Sequence, residues 1–248
     1  MLKISNLTVS VKDKVIIKDF NLNIKLGEIH TLMGLNGSGK STICKVLMGD
    51  KDYKVESGTI FFKDIDLLKL DTTERSRMGL FLVSQNPIEI PGVKNSEMLK
   101  IALESKLGKH INIFEFSKLL NSVCEKLNID KSFIHRNINE GMSGGEKKKN
   151  ELIHLWVLEP SLIILDEIDS GVDVDNLNII GESLKEYYDS HDCSILIITH
   201  HTNILKKLEP NYVHILSEGK ISKTGNKLLA LEIENNGYNR ANIVSDNK

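Results

Sequence analysis

Cysteine is scarce in this chain of 248 residues: Cys44, Cys124 and Cys193 are the three present, far apart and with no C-x-x-C pair. An odd, scattered set argues for a reducing compartment. It argues against this chain holding a zinc ion or an iron–sulfur cluster alone. Net charge is nearly absent as well, at −2, so the surface has no general attraction for nucleic acid or an anionic membrane. Long apolar runs are also missing. The longest, "LIIL" and "ILIIT", are strand-sized and far short of a membrane span. The opening "MLKISNLTVS" has no apolar core, small-residue cleavage site or Arg-rich transit pattern. The expected location is therefore the cytoplasm, or the plastid stroma in a plastid-bearing eukaryote. What is present, 40 % hydrophobic and 27 % charged residues, suffices for a sizeable core in one large domain or two small ones.

Along the chain the pattern is mixed. Phe20, Leu22, Ile24 and Leu26 alternate with Asn21, Asn23 and Lys25, the period of a half-buried strand. "EIHTLM" reads as a short strand running into a glycine loop, and "STICKVLMG" as a helix ended by Gly49. "GTIFF" and "LFLVSQ" are further strands. From about residue 95 to 158 the spacing turns helical, through Met98, Ile101, Ala102 and Leu103, then Phe116, Leu119, Leu120, Val123 and Leu127. Pro160 stops the last of these helices. "SLIILD" and "SILIIT" are continuous apolar runs, the pattern of parallel strands covered on both faces. "YVHILSEGKISKTG" predicts a hairpin turning at Glu218-Gly219. With no internal repeat or long linker, the expectation is one α/β domain with a helical insertion between two halves of a strand-rich core.

Gly34 to Ser41, "GLNGSGKS", fits G-x-x-x-x-G-K-[ST] at every fixed position, after a strand and before a helix. Gly34, Leu35, Asn36, Gly37, Ser38 and Gly39, with Lys40, Ser41 and Thr42 at the helix start, form a candidate phosphate cradle. Gly37 and Gly39 permit the tight curl that turns successive N–H groups inward, and the helix dipole adds to the attraction. Lys40 can reach the β- and γ-phosphates, and the Ser41 hydroxyl can ligate Mg²⁺. A glycine-rich turn with a stray lysine is the plain alternative; the flanking strand and helix speak against it.

Asp166 and Glu167 end the apolar run "LIIL", where open α/β sheets bind ligands. Asp166 would hold Mg²⁺ through water and Glu167 would act as general base toward the attacking water. The alternative role for the pair is capping the next helix. His200 or His201 ends a second such strand, His200 being the preferred sensor of a γ-phosphate. Gln85, after "LFLVS", is a candidate for the metal and the attacking water. A second helix start suited to an anion stands at Met142–Asn150, "MSGGEKKKN", where Ser143, Gly144 and Gly145 precede three lysines. Lys147, Lys148 and Lys149 are expected on a solvated helix face, with local attraction of nucleotide as the other option.

Phosphate loop, rim glutamine, "SGGE", aspartate–glutamate and rim histidine, in that order over essentially the whole chain, resemble the ATP-binding-cassette (ABC) ATPases. The resemblance implies an α/β ABC-ATPase nucleotide-binding domain over residues 1–248. It would be a P-loop NTPase core with an antiparallel β subdomain and a helical subdomain inserted at about 95–158. The resemblance also implies that Ser143, Gly144 and Gly145 serve the ATP held by a second subunit. An ATP-dependent, head-to-tail homodimer would then enclose two ATP molecules, with "IDSGVD" (Ile168–Asp173) crossing between the sites.

Within that family, "SGGEKKKNE", "LDEIDSGVDVD", "NPIEIPGV", "EPNYVHIL" and the tail "EIENNGYNRA" are similar to the SufC-type ATPases of the SUF iron–sulfur cluster assembly machinery. Transporter ATPases usually carry Gln where Glu146 stands and Ala-Leu-Asp where Gly171-Val172-Asp173 stands. The likeness implies SufB/SufD-type scaffold proteins as partners, with no nucleic acid and no direct membrane insertion. The alternative is the ATP-binding subunit of a membrane ABC transporter. Two departures stand out. Val11 lies where the family often has an aromatic residue to stack on adenine, which predicts weak base stacking and a loose nucleotide preference. Met142 replaces Leu or Phe ahead of the signature, a volume-conserving change. "NPIEIPGV" holds Ile88, Ile90 and Val93, with Pro87 and Pro91 to discourage regular structure. It is either core packing or a docking surface linked to Gln85.

Overall fold

The computed structural model describes residues 1–240. β1 (Leu2–Val11) and β2 (Lys14–Ile24) pair antiparallel across the turn Lys12-Asp13, both at positive φ (46° and 65°), the backbone twist a two-residue hairpin requires. β3 (Ile29–Met33) leads through the phosphate loop into α1 (Lys40–Met48). β4 (Lys54–Phe62), β5 (Ile65–Asp66), α2 (Thr72–Arg77) and β6 (Leu80–Val83) follow. Next come β7 (Ile90–Lys94), α3 (Asn95–Leu107), α4 (Ile113–Lys126), β8 (Asn137–Ile138) and α5 (Gly144–Leu158). The chain closes with β9 (Leu162–Asp166), α6 (Val174–Ser190), β10 (Ser194–Ile198), β11 (Tyr212–Ser217), β12 (Lys220–Gly225) and α7 (Lys227–Arg240).

The central six-stranded sheet has the order β12-β11-β3-β10-β9-β6. It is parallel from β11 to β6, with β12 antiparallel at one edge. A four-stranded antiparallel sheet, β2-β1-β4-β5, stands beside it. The continuous apolar strands supply both layers of core by simple alternation. Ile163, Leu165, Ile195 and Ile197 join a cluster with residues of α3 to α6. Leu162, Ile164, Leu196 and Ile198 face the other way, into a cluster with α1 and the antiparallel sheet. The period of two sends neighbouring side chains to opposite faces, so the parallel strands are buried on both. Their C-terminal ends therefore meet on one rim, with α1 starting beside them.

Two sequence expectations need correction, and one residue of the expected helical stretch faces outward. The alternation at Leu26 does not continue the strand: β2 ends at Ile24, Leu26 is 56 % exposed, and Glu28 N–H closes a turn on Lys25 O (3.3 Å). Ile101 lies on the exposed side of α3. The "NPIEIPGV" segment does form regular structure, since β7 pairs with β8, Ile90 opposite Ile138. Pro91 is tolerated because a two-stranded ribbon is all edge and need not use its missing donor. The hairpin turns as expected, with Glu218 and Gly219 at φ 48° and 79°, and α5 stops at Leu158, with Glu159 at φ 43° before Pro160. Ala241, the last residue of the tail motif, lies outside the described residues. Among the described residues no helix is long and apolar enough to cross a membrane.

Candidate active site

All five residues of β3 are buried, and the chain leaves the sheet at Gly34. A Cβ there would lie 2.4 Å from Leu216 O and 2.7 Å from Ser38 Oγ, so only glycine fits the exit. Gly39 N-caps α1 at φ 107°, and a Cβ on it would meet Ile17 Cδ1 at 2.5 Å. Gly37, at φ 80°, has open space around it: its conformation needs glycine, and a ligand has room to approach the backbone. Lys40 is 4 % exposed. Its Nζ donates to Gly34 O (2.9 Å) and Leu35 O (3.2 Å) and lies 3.9 Å from Glu167 Oε1. Burial lowers its pKa, against the opposing pull of Glu167 and Asp166.

Asp166 ends β9 beside Ile198 of β10. Ser41 Oγ, at the start of α1, donates to its Oδ1 at 3.5 Å. Burial, then the charge of Glu167, raises the Asp166 pKa above the usual carboxylate value. Glu167 adopts φ 46°, and its N–H donates to Ile198 O (2.8 Å), which turns the backbone out of the sheet at this residue. Three side chains converge on its carboxylate. Gln85 Nε2 donates to Oε2 at 2.7 Å, while His200 Nδ1 and Lys40 Nζ stand 3.5 Å and 3.9 Å from Oε1. His200 Nδ1 is buried without a hydrogen-bond partner. His201 is exposed, and its N–H donates to Thr199 Oγ1 (2.9 Å), so the rim histidine facing the carboxylates is His200.

These groups open onto a cleft of about 540 Å³ lined by Asn36, Gly37, Gly39, Lys40, Ser41, Thr42, Gln85 and Glu167, together with Val11, Ile16 and Tyr53. Leu35 and Ser38 instead line a smaller hollow of about 240 Å³ beside Glu218 and Tyr238, which Asn36 and Gly37 share. Six of the nine residues from Gly34 to Thr42 thus line the cleft: Asn36, Gly37, Gly39, Lys40, Ser41 and Thr42.

The second helix start is built differently. Ser143 caps α5: its Oγ accepts from Glu146 N–H (3.3 Å), and Glu146 Oε2 accepts from Ser143 N–H (2.8 Å), a reciprocal capping box. Those bonds to Ser143, together with Arg136 donating to Glu146 Oε1 (3.1 Å), hold the Glu146 carboxyl below its usual pKa. A Cβ on Gly144 would meet Gly171 O at 2.9 Å, and one on Gly145 would meet Asn176 Nδ2 at 2.9 Å. These glycines let the turn before α6 and the first turn of α6 itself pack against the start of α5. Ser143 and Gly144 are exposed, and none of the three lines the cleft of its own chain.

The lysine run is not a solvated face throughout. Lys147 pairs with Glu89 (2.7 Å), but Lys148 is 2 % exposed. Its Nζ donates to Ser84 O and to Gln85 O (3.3 Å) and lies 3.7 Å from Glu151. Glu151 in turn accepts from Ser84 N–H (3.3 Å). Burial raises the Glu151 carboxyl to about 7 and lowers the Lys148 ammonium. Helical spacing explains the placement, for Lys148 shares its stripe with buried Leu152 and Leu155. That spacing was legible in the sequence and Glu151, three residues on, could have been found by it. Tyr53 carried no motif and could not.

A family model described as "ABC transporter" matches residues 17–170. The chain is 46 % identical over 242 residues to the probable ATP-dependent transporter ycf16 of Trieres chinensis, covering 96 % of each chain. With the probable ATP-dependent transporter slr0075 of Synechocystis it shares 44 % over 243 residues, 96 % of this chain and 94 % of the relative. It is 42 % identical over 232 residues to the iron-sulfur cluster assembly protein SufC of Plasmodium falciparum, 92 % of this chain and 67 % of that protein. Among solved structures, the ATP-binding cassette MJ0796, a dimer in a post-hydrolysis state bound to ADP and Pi, matches with a TM-score of 0.78 at 24 % identity. The match covers 91 % of this chain and 98 % of that one, and the likeness is one of fold.

Proposed function

Since this chain belongs to the ATP-binding-cassette family of ATPases, we propose that two copies close head to tail on ATP and thereby change the shape of a SufB/SufD-type scaffold during iron–sulfur cluster assembly. The observation that carries the two-copy part is the start of α5. It is an exposed helix N-terminus, dipole outward, that lines no part of its own chain's cleft. A second copy's phosphates are the anion it suits, and Ser143, Gly144 and Gly145 would reach them. The 42 % identity to a protein named for iron–sulfur cluster assembly supports the process. In this reading α3 to α5, at about 95–158, form a helical subdomain inserted into one domain, and the protein works in the cytoplasm or the plastid stroma.

The geometry supports a division of labour at the cleft. Lys40, now bonded to two carbonyls of its own loop, would exchange them for phosphate oxygens. Glu167, held by Gln85 and flanked by His200, would take a proton from the attacking water. His200, with its buried free Nδ1, would sense the terminal phosphate. The donors fit Mg²⁺, which prefers oxygen ligands: the Ser41 hydroxyl and the Asp166 carboxylate lie 3.5 Å apart, and like charge on Glu167 makes Asp166 a place where a cation brings relief. Among the described residues no three His, Cys, Asp or Glu side chains converge on a metal, so Ser41, Asp166 and Gln85 would share it with phosphate oxygens. When bound, Mg²⁺ would neutralise charge on the phosphates.

A second reading, the ATP-binding subunit of a membrane transporter, rests on the transporter names of two relatives. Adding purified SufB/SufD-type scaffold separates the two. Hydrolysis by the slow, monomeric chain should rise as the scaffold brings copies together. Ile88, 72 % exposed in the "NPIEIPGV" segment, is the better docking probe than half-buried Ile90. Ile88→Asp should abolish the stimulation and leave basal rate and melting temperature unchanged. Co-fractionation with membranes, without stimulation by scaffold, would favour the transporter reading.

A further inference from the structure

We propose that Tyr53 is the platform on which the nucleotide base stacks, supplying from β4's side of the ladder the aromatic surface that Val11 lacks. The proposal rests on the reading of the cleft as a nucleotide site. The antiparallel register pairs Val9 with Val55 and Ser10 with Lys54. The ladder ends at that pair, and Val11 and Tyr53 are the next residues on the two sides, Tyr53 in the bend that leads into β4. Both residues line the cleft that holds Lys40, Ser41 and Thr42, and Ile16 lines it with them. Tyr53 is the one aromatic residue in that lining.

Its setting suits a platform. Tyr53 is half-buried and packs against the apolar cluster beneath the antiparallel sheet, so part of its surface is held by the protein and part is left to the cleft. Its N–H donates to Asp50 O (3.3 Å), in the turn that follows Gly49 at the end of α1. The residue is thus tied to the same helix whose first turn carries Lys40 and Ser41. Val11 and Ile16, also half-buried, add aliphatic contact. Stacking on an aromatic ring accepts every base, since each has a π-face. Loose base preference is therefore retained, but the weak stacking expected from Val11 alone is not.

The test is calorimetric titration of the full chain with ATP, with GTP and with inorganic tripolyphosphate, which has no base. Tyr53→Ala should weaken ATP and GTP by about tenfold and leave tripolyphosphate unchanged, which also shows that the phosphate loop remains folded. Tyr53→Trp should bind all three as the unaltered protein does. Adding Val11→Tyr to Tyr53→Ala should restore much of the lost affinity for ATP from the other side of the ladder. The proposal is overturned if Tyr53→Ala binds ATP undiminished, or if it loses tripolyphosphate by the same factor. Failure of the unaltered protein to bind both ATP and tripolyphosphate would overturn the nucleotide reading along with it, whereas normal ATP binding by Tyr53→Ala would leave that reading standing.

Discussion

In the phosphate loop, Gly37 and Gly39 sit at φ 80° and 107°, and the lysine that follows is buried and bonded back to the loop. In the signature turn neither Gly144 nor Gly145 has a positive φ, and the helix start is closed by its own serine and glutamate. Both segments are glycine-rich helix starts, yet glycine does different work in each. The first needs it for a backbone that side chains rarely permit. The second needs it for room, because Gly171 O and Asn176 press against it. The difference teaches that one turn is closed around its own buried lysine, whereas the other is packed from behind and left exposed at Ser143 and Gly144.

The largest expected effect lies at the cradle's end of this comparison. Glu167→Gln should lower steady-state hydrolysis by about 10²- to 10⁴-fold while ATP still binds; hydrolysis at the unaltered rate would remove Glu167 from the role of base. Next comes the direct contrast. Lys40→Ala should reduce nucleotide affinity by about 10- to 100-fold, the loss of charge-assisted bonds. Ser143→Arg should bind nucleotide normally and fail to hydrolyse it. Mixing the two inactive chains should recover part of the activity, because one composite site is then wholly intact. A fully active Ser143→Arg chain would show that the signature turn does not act on ATP.

A stability effect follows. Lys148→Met leaves the Glu151 carboxylate buried without its partner and should cost about 3 kcal/mol in denaturant unfolding. Replacing both residues by methionine should restore most of that loss, an outcome that a solvated lysine would not produce. Smaller still is the difference between the glycines themselves. Gly39→Ala combines a left-handed backbone with contact against Ile17 and should cost about 1–3 kcal/mol. Gly145→Ala meets only the movable amide of Asn176 and should cost less than about 1 kcal/mol.

The last expectation spares both turns. His214 bonds His30 (2.9 Å) and Thr224 (2.9 Å) in the core, and burial pushes it down to about 4. The folded chain keeps it neutral while the unfolded chain takes up a proton below the ordinary histidine value of about 6.5. Stability should therefore be lost as pH falls from that value toward 4. The loss should be equal in the unaltered protein, Lys40→Ala and Ser143→Arg, because the pair touches neither turn. His214→Gln should reduce the dependence without abolishing it, because burial pushes His154 down to about 4 as well.

What the sequence by itself determined was everything written in neighbouring residues. The phosphate loop, the capping residues of α5, the apolar runs of β9 and β10 and the turn at Glu218-Gly219 depend on local backbone preference and on spacing within one element, and each stands where its motif placed it. Their meeting at one rim also followed, since parallel strands with continuous apolar runs must align their ends. Only the tertiary structure decided what depends on a distant neighbour. Lys148 is buried because β6 and its loop cover that stripe of α5; Leu26 is exposed because the chain turns at Lys25. The signature glycines are pressed by Gly171 O and by Asn176 of α6, on a distant stretch of the chain. Tyr53 reaches the cleft because the pairing of β1 with β4 brings the bend before β4 to the cleft that Val11 also lines, and no pattern within its own segment encodes that neighbour.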